Sequence, residues 1–164
     1  MPTIERLRPD HAAALLAFEQ ENRAYFATTI PDRGDDYFTH FAERHEALLA
    51  EQATGTCHFH LIVGDGGVVL GRVNLVDVTD GSAELGFRIA EKAAGQGLAT
   101  TCVRKMARLA ATTYRLRSLR AGTSTTNTGS QKVLTRTGFT RTGEEATLSG
   151  HPRLRYALNL TATT

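Results

Sequence analysis

A strand, a turn with two glycines and a helix follow one another in mid-chain, and this order constrains the fold more than any other feature. Ser82–Ile89 is predicted as the strand and Ala94–Leu98 as the turn, and the helix continues to about Tyr114. Its apolar stripe consists of Leu98, Cys102, Met106, Leu109 and Thr113. A second strand, Ser118–Thr125, follows. Because strand–helix–strand crossovers join parallel strands, we expect a parallel pair here, with a ligand site beside the helix N-terminus.

The rest of the chain supplies further strands and helices around this unit. The predicted strands are Ile4–Arg8, Cys57–Val63, Val68–Val78, Thr140–Leu148 and Arg153–Leu160; the predicted helices are Asp10–Asn22 (with Asp10 as N-cap), Tyr37–Ala53 and Asn127–Thr137. Gly64–Gly67 indicates a hairpin turn, and Ile30–Asp36 is predicted as a loop. The 164 residues fit one domain, residues 1–164. We expect an α/β (α+β) fold with a mixed, mostly antiparallel sheet of about seven strands and helices on both faces.

Composition and charge argue against several classes of protein. The formal net charge is only +2, so nothing in the sequence requires nucleic acid as a partner. No apolar run approaches the roughly 20 residues of a membrane span, and Met1–Asp10 is too charged for a signal peptide. Cys57 and Cys102 do not make a disulfide framework and are expected to be reduced and buried. These features predict a cytoplasmic protein without a membrane partner.

The turn Ala94–Thr100 has the composition of an anion site. It reads Ala-Gly-Gln-Gly-Leu-Ala-Thr, and a helix begins within it. The first N–H groups of a helix lack internal acceptors and carry the positive end of the dipole, so they bind phosphates well. Gly95 and Gly97 would let a pyrophosphate approach these amides. The segment is neither a P-loop nor a dinucleotide fingerprint, and taken alone it is equally compatible with a plain turn.

Two segments together resemble the signatures of the GNAT acyltransferase family. Ala83–Ile89 followed by Gly95–Thr100 resembles its acyl-coenzyme A motif, although Ala94 stands where the family usually has Arg or Gln. Downstream, Asn127–Ser130 with a closing Gly138-Phe139 resembles the second signature, in the form found in the RimJ/RimL-like branch. Both motifs occur in the family's order and at its usual distance. The resemblance covers nearly the whole chain and implies the GNAT fold.

The resemblance implies a site for acetyl-coenzyme A. Its predicted residues are Phe87, Arg88, Ile89, Gln96, Gly97, Leu98, Ala99, Thr100, Asn127 and Lys132. Pantetheine would pair with the strand that contains Arg88, whose neighbourhood offers a free N–H to the thioester carbonyl. The pyrophosphate would lie on the turn amides. Asn127 would contact the coenzyme and is also a good N-cap by type, while Lys132 would reach the adenosine phosphate or simply be solvated.

Glu84 and Ser130 are the candidate catalytic residues by the same resemblance. Glu84 lies at the position of the catalytic glutamate of several members and would take a proton from the ammonium. The alternatives are a solvent-side strand residue or an ion-pair partner of Arg72 or Arg88. The tyrosine that many members use as the acid is replaced by Leu134, and Ser130 is the substitute proposed in the RimJ/RimL-like branch. The alternative is that Ser130 simply hydrogen-bonds to backbone at the start of the helix.

The acceptor site is expected in the loop and strand regions that the family uses for it. Candidate acceptor-binding residues are Tyr25, Phe26, Tyr37 and His60. Nearby Asp32, Asp35 and Asp36 would suit a cationic amine, although aspartates are equally common as turn residues. His58 and His60 alternate onto one strand face, but no third or fourth ligand is organised for zinc, so no metal is predicted.

The sequence therefore predicts an N-acetyltransferase that moves an acetyl group from acetyl-CoA to a primary amine. The acceptor would be a protein N-terminus, as in ribosomal-protein alanine acetylation, or a small-molecule amine. The alternative is a catalytically weak acyl-CoA-binding module that acts as a sensor or partner domain. Monomer and homodimer are both open.

Overall fold

Among the residues that the structure describes, seven strands form one sheet: β1 (Thr3–Arg6), β2 (His58–Val63), β3 (Val69–Thr79), β4 (Ser82–Ile89), β5 (Ser118–Ser124), β6 (Thr140–Glu145) and β7 (Arg153–Asn159). The computed structural model describes residues 2–145 and 152–161. The strand order is β1-β2-β3-β4-β5-β7-β6; β4 and β5 are parallel, and the other neighbours are antiparallel. The predicted mixed sheet and its parallel crossover are therefore confirmed.

In the described part of the chain, six α-helices accompany the sheet: α1 (Ala12–Glu21), α2 (Arg23–Phe26), α3 (Asp35–Thr39), α4 (Phe41–Ala53), α5 (Leu98–Thr112) and α6 (Thr128–Arg136). Successive strand residues point to opposite faces, so neighbouring Leu61 and Ile62 of β2 enter different apolar clusters. Leu61 packs in the cluster that includes Phe18 of α1, whereas Ile62 packs in the cluster that includes Met106 of α5. Helices thus cover both faces, as expected. Within the described part of the chain, no helix combines the length and apolarity needed to cross a bilayer.

The largest differences from the predicted elements lie before β2. Pro9–His11 forms a single 3₁₀ turn, and the Asp10 carboxylate accepts a hydrogen bond from Arg8 Nε at 3.0 Å, so Asp10 does not cap α1. The helix predicted over Tyr37–Ala53 is split into α3 and α4, because His40 leaves the helical region at φ −107° and ψ 28°. The short helix α2 was not predicted, and α3 begins at Asp35, which was assigned to the loop.

Most other boundaries agree to within two residues. The hairpin at Gly64–Gly67 is confirmed, with Gly66 at φ 72° and Gly67 at φ 79°, backbone angles that favour glycine. Both cysteines are free and buried, as expected. The predicted extension of β6 through residues 146–148 lies outside the described residues.

The parallel strands β4 and β5 separate halfway along their length. Their pairing runs from Ser82 opposite Ser118 to Leu85 opposite Ala121. Beyond this point, among the described residues, the rest of β4 pairs only with β3, and the rest of β5 pairs only with β7. The sheet therefore opens at the carboxyl ends of β4 and β5, beside the start of α5.

Candidate active site

Two clefts meet at the opening between β4 and β5. The α5 cleft has a volume of about 360 Å³ and lies between the end of β4, the start of α5 and α6. The β5 cleft has a volume of about 800 Å³ and lies between β4 and the separated end of β5. Residues lining both are Thr28, Thr29, Ile30, Phe87, Arg88, Asn127 and Ser130. The two spaces are thus joined at the end of β4 and the start of α6.

The α5 cleft contains most of the predicted donor-site residues. Its lining includes Phe87, Arg88, Ile89, Gly97, Leu98, Ala99, Thr100, Asn127 and Lys132, together with the predicted acceptor residues Tyr25 and Phe26. Gln96 is not in the lining; it is exposed, and its side-chain amide donates to the Lys92 carbonyl at 3.4 Å. The polar side-chain contact expected of Gln96 therefore has no counterpart in the cleft.

The glycine turn presents the start of α5 to this cleft. Gly95 and Gly97 have φ angles of 75° and 78°, a conformation that glycine adopts without steric cost. Thr101 N donates to Gly97 O at 3.1 Å, which is the first helical hydrogen bond of α5. The preceding N–H groups of the helix have no helical acceptor and carry the positive end of its dipole. These groups fit a pyrophosphate.

Two cations on α6 add to the positive potential of the α5 cleft. Lys132 and Arg136 are one helical turn apart, and both line the cleft. Sequence reasoning singled out Lys132 but missed Arg136, although the i,i+4 spacing on one helix face was a readable signal. Together they extend the anion site beyond the turn.

The exposed edge of β4 offers backbone groups to the opening. Ala90 N donates to Leu70 O at 2.8 Å, on the β3 side. Alternate residues of a strand direct their polar groups to the same side, so Arg88 also bonds to β3, with Arg72 opposite it. Phe87 and Ile89 therefore direct their N–H and C=O groups into the opening. The free N–H groups expected near Arg88 are therefore those of Phe87 and Ile89.

Asn127 and Ser130 lie where the two clefts join. Asn127 Oδ1 accepts a hydrogen bond from Ser130 N at 3.1 Å, which makes Asn127 the N-cap of α6. The capping role weighed for Asn127 is thus present, and its side chain also lines both clefts. Ser130 Oγ makes no hydrogen bond to any residue in the described ranges. The hydroxyl is available to a bound molecule.

Glu84 lies outside the lining of both clefts. Its carboxylate accepts two hydrogen bonds from Arg155, at 2.7 and 3.0 Å, and Arg120 Nε is 3.6 Å away. An ideal Cβ at Gly122 would lie 2.5 Å from Arg155 Nη1, so the glycine leaves room for this guanidinium. The ion-pair alternative considered for Glu84 is realised, but with Arg155 rather than with an arginine of β3 or β4.

His60 and Tyr37, two predicted acceptor residues, are also outside the clefts. His60 is on the α5 face of β2, where its Nε2 is 2.8 Å from Tyr114 Oη, and burial lowers its pKa to about 4. Two strands, β3 and β4, separate it from the opening, which corrects the expectation that it lines the acceptor site. Tyr37 is buried, and its hydroxyl accepts a hydrogen bond from Arg72 Nη1 at 3.3 Å, behind the β5 cleft.

The charge of the β5 cleft is opposite to the expectation. Asp32 and Asp35 accept hydrogen bonds from Arg23 at 2.8–3.0 Å and do not line a cleft; nor does Asp36. Among the described residues that line the two clefts there is no Asp or Glu. Arg33, Arg72, Arg88 and Arg153 line the β5 cleft. The structure therefore overturns the idea of an acidic acceptor loop.

Three of these arginines surround one buried carboxylate. Glu19 of α1 is 1% exposed and accepts hydrogen bonds from Arg33 at 3.0 Å, from Arg72 at 2.8 Å and from Arg88 at 3.1 Å. Burial alone would raise the pKa of Glu19, but the charges of Arg72 and Arg33 outweigh it and lower the pKa. Glu19 was not identified from the sequence, because its partners lie 14, 53 and 69 residues away.

No group of three or more His, Cys, Asp or Glu side chains within residues 2–145 and 152–161 is arranged to hold a metal ion. His58 stacks on Tyr114 with ring centroids 3.7 Å apart. The pair of histidines on β2 therefore belongs to a packed aromatic cluster.

Comparison with known proteins agrees with this geometry. The model of the acetyltransferase (GNAT) domain matches residues 3–140. The probable N-acetyltransferase YjcK of Bacillus subtilis (strain 168) is 27% identical over 149 residues, which cover 85% of this chain and 81% of that protein.

Solved structures show the same fold. The ribosomal-protein-S5-alanine acetyltransferase of Vibrio fischeri has a TM-score of 0.90 at 16% identity, covering 98% of this chain and 94% of its own. RimJ of Mycobacterium smegmatis, in complex with CoA-disulfide, has a TM-score of 0.86 at 23% identity, covering 95% and 80%. At these identities the likeness shows the fold, and it is in line with the RimJ/RimL-like resemblance of the second motif. Because the family model spans most of the sequence, this chain is a member of the GNAT acetyltransferase family and an acyltransferase.

Proposed function

We propose that this protein transfers the acetyl group of acetyl-CoA to a primary amine, with the donor in the α5 cleft and the acceptor in the β5 cleft. The observation that carries the proposal is the junction of the two clefts at Phe87, Arg88, Asn127 and Ser130. Two substrates that enter from opposite sides of the sheet opening would meet there. Their reacting groups would be held together, which removes much of the entropic barrier of a bimolecular step.

The residues of the α5 cleft fit coenzyme A by chemical type. The start of α5 offers backbone donors to a pyrophosphate, and Lys132 and Arg136 offer charge to a further phosphate. The edge groups of Phe87 and Ile89 suit an amide-containing arm that pairs like an added strand. Ala94 contributes no side-chain contact, but the backbone donors of the turn remain.

The chemistry requires little from side chains. The amine nitrogen attacks the thioester carbon, the C–N bond forms, the C–S bond breaks, and the proton that the nitrogen loses balances the proton gained by the CoA thiolate. The N–H of Phe87 or Ile89 would stabilise negative charge on the carbonyl oxygen. Ser130 would relay this proton: its hydroxyl gives a proton to the leaving sulfur and regains the one that the nitrogen loses, and its free Oγ at the junction supports this role.

Base catalysis by Glu84 is a separate hypothesis. The ion pair with Arg155 supports a structural role for this carboxylate. An α-amine with a pKa of about 8 is about one-tenth neutral at pH 7, so its deprotonation needs little assistance. The transfer proposed here therefore does not require Glu84.

Two acceptor classes fit a primary amine, a protein N-terminus or a small molecule. The V. fischeri structural neighbour is named for an alanine of ribosomal protein S5, which favours a protein acceptor. A second candidate function is a weak acyl-CoA-binding module. Leu134 is 1% exposed and stands where many members of the family have the tyrosine that acts as the general acid. Ala94 lacks the Arg or Gln side chain that is usual at the first motif position. These two residues favour that alternative, whereas the joined clefts and Ser130 favour an enzyme.

Calorimetric titration with acetyl-CoA, with desulfo-CoA for comparison and with excess EDTA, tests the donor site. We expect micromolar binding, and thiol release should then follow when peptide and small-molecule amines are screened. Absence of binding at millimolar acetyl-CoA would overturn the proposal. Binding without turnover of any amine would favour the binding module.

Variants separate the catalytic hypotheses. Ser130→Ala should lower kcat about 10²-fold to 10⁴-fold with little change in CoA affinity, since general acid catalysis contributes on that scale. Ser118→Ala, at the far end of β5 and outside both clefts, is the matched control. Glu84→Gln should lower kcat if Glu84 is the base; unchanged kcat with a lower free energy of unfolding would assign it a structural role.

A further inference from the structure

The β5 cleft has an excess of positive charge. Arg33, Arg72 and Arg88 line it, and one carboxylate, that of Glu19, lies among them. Three guanidinium groups and one carboxylate leave a net charge of +2. No acidic residue in the described part of the chain lines the cleft to offset it. Burial and the charges of Arg33 and Arg72 lower the pKa of Arg88, which is the expected result of crowding cations together.

Two polar atoms at this place have no partner among the described residues. Arg72 is 5% exposed, and its Nε is buried without an acceptor; Asn74 Oδ1 is buried without a donor. Arg72 and Asn74 lie two apart on β3, so their side chains share the face that lines the β5 cleft. Buried polar groups are nearly always paired in folded proteins, and an unpaired one is costly. Two residues that line the β5 cleft therefore each keep one polar atom without a protein partner beneath its surface, which suits a zwitterionic or amide-bearing ligand.

We propose that Arg33, Arg72 and Arg88 form an anion subsite of the β5 cleft, which binds a carboxylate carried by the acceptor amine. The inference rests on the proposed transfer reaction and narrows its acceptor to amino-carboxylates. Planar guanidinium groups match a carboxylate in charge and geometry. Asn74 Oδ1 would accept a hydrogen bond from an ammonium or amide N–H of the same molecule. A polyamine would meet uncompensated positive charge and is disfavoured.

Acceptors that differ in one charged group test the subsite. The carboxylate has two possible sources, an acidic side chain near a peptide N-terminus or the α-carboxylate of an amino acid. The peptide pair is Ala-Glu-Ala amide and Ala-Gln-Ala amide, the amino-acid pair is alanine and alaninamide, and spermidine is the cationic acceptor. We expect kcat/KM, from thiol release, to be about tenfold higher for the acid in at least one pair, since a hydrogen bond to a charged group is worth that much.

The outcomes distinguish this inference from the transfer reaction. A preference in the peptide pair identifies the side-chain source, and one in the amino-acid pair identifies the α-carboxylate source. Equal turnover within both pairs, or a preference for spermidine, would overturn the anion subsite and leave the transferase intact. If acetyl-CoA neither binds nor reacts, the transfer reaction itself is wrong.

Binding without turnover is a second readout. With CoA present, the N-acetylated forms of both peptides are titrated by calorimetry. Tighter binding of the glutamate peptide, by about tenfold, supports the subsite. Equal affinity for the two acetylated peptides, together with no preference in the amino-acid pair, overturns it.

Arg33 is the residue to change, because Arg72 and Arg88 are more deeply buried beside Glu19. In Arg33→Gln, the ratio of kcat/KM for the acid to kcat/KM for the amide of each pair should fall to about threefold or less, mainly through KM. Arg33→Lys should retain most of this preference. Arg108→Gln, on the exposed side of α5, removes the same charge away from both clefts and should leave the preference unchanged. An unaltered preference in Arg33→Gln would exclude Arg33 from the subsite.

Discussion

Glu19 shows how a single buried charge can organise the interior next to a binding cleft. A carboxylate is tolerated there because three arginines from different parts of the chain each donate to it. Removal of one member of such a group is more costly than its presence is favourable, since the remaining charges are left buried and unpaired. The stability of the β5 cleft therefore depends on this residue.

Glu19→Gln should lower the free energy of unfolding by about 3–5 kcal/mol, because the three arginines lose their only described carboxylate partner. Urea denaturation at pH 7 measures the change. Glu21→Gln is the control, since Glu21 is exposed and 3.7 Å from Lys92, and it should have almost no effect. Similar values for the two variants would show that the cluster does not stabilise the fold.

The buried His60 predicts a pH dependence of stability. Its pKa in the folded protein is about 4, because burial disfavours the charged ring, whereas an unfolded histidine titrates near 6.5. Between those values the unfolded chain binds the proton and the folded chain does not, so stability is full above about pH 6.5 and falls towards pH 4. The loss is about 3 kcal/mol. Urea denaturation at pH 7.5 and pH 5 should show its onset, and His60→Leu should flatten this dependence.

At the scale of elements, the turn that starts α5 combines a glycine backbone that exposes N–H groups with a side-chain position, 94, that lacks a polar group. Its glycines have positive φ angles, and an ideal Cβ at Gly95 or Gly97 would meet no atom within 4 Å. Backbone conformation, rather than lack of space, therefore accounts for glycine at these positions in the structure described here. The side-chain contribution that the family usually obtains from the first motif position is missing at Ala94. The turn should therefore bind phosphate more weakly than it would with a polar side chain at position 94, and a substitution there should increase the affinity.

Ala94→Arg should tighten the binding of acetyl-CoA about threefold to tenfold, since a guanidinium at the mouth of the α5 cleft adds a charge-assisted hydrogen bond to phosphate. Ala94 is exposed, so the larger side chain needs no repacking. Thr113→Arg, at the other end of α5, adds the same charge away from the cleft and should change the affinity little. Equal affinities for both variants and the unaltered protein would show that the turn gains nothing from this side chain.

At the scale of the whole molecule, the ligand sites lie where the sheet is incomplete. The apolar clusters on the two faces hold β2 and β3 firmly, whereas the ends of β4 and β5 lack a shared partner among the described residues. A molecule that fills this opening binds the folded chain only. Its binding free energy is therefore added to the stability of the fold.

Acetyl-CoA at about 100 times its dissociation constant should stabilise the fold by about 2.7 kcal/mol, which raises Tm by about 5–10 °C in a chain of this size. A thermal melt followed by circular dichroism measures the shift. Desulfo-CoA, which retains the phosphates, should give most of the shift, and adenine alone should give little. An absent shift at a saturating acetyl-CoA concentration would contradict the assignment of the α5 cleft.

The sequence by itself determined the order of the seven strands and of α1, α5 and α6, the parallel crossover at β4 and β5, and the glycine turn that starts α5. These features depend on residues close together in the chain: hydrophobic spacing, glycines at a turn, and a capping Asn127 three residues before Ser130. The two motifs also indicated the family and most of the α5 cleft. Arg136, by contrast, was readable from its spacing and was missed.

Only the tertiary structure decided which face and which partner each polar side chain has. Strand alternation divides residues into two sets, but it says neither which set faces a cleft nor where the strand lies in the sheet, so His60 was wrongly expected at the acceptor site. Glu84 pairs with Arg155, 71 residues away, and Glu19 with arginines up to 69 residues away. Such pairs depend on strand register and on the packing of α1 against the sheet. The positive charge of the β5 cleft follows from this packing. The proposal of an acceptor with a carboxylate depends on it in turn.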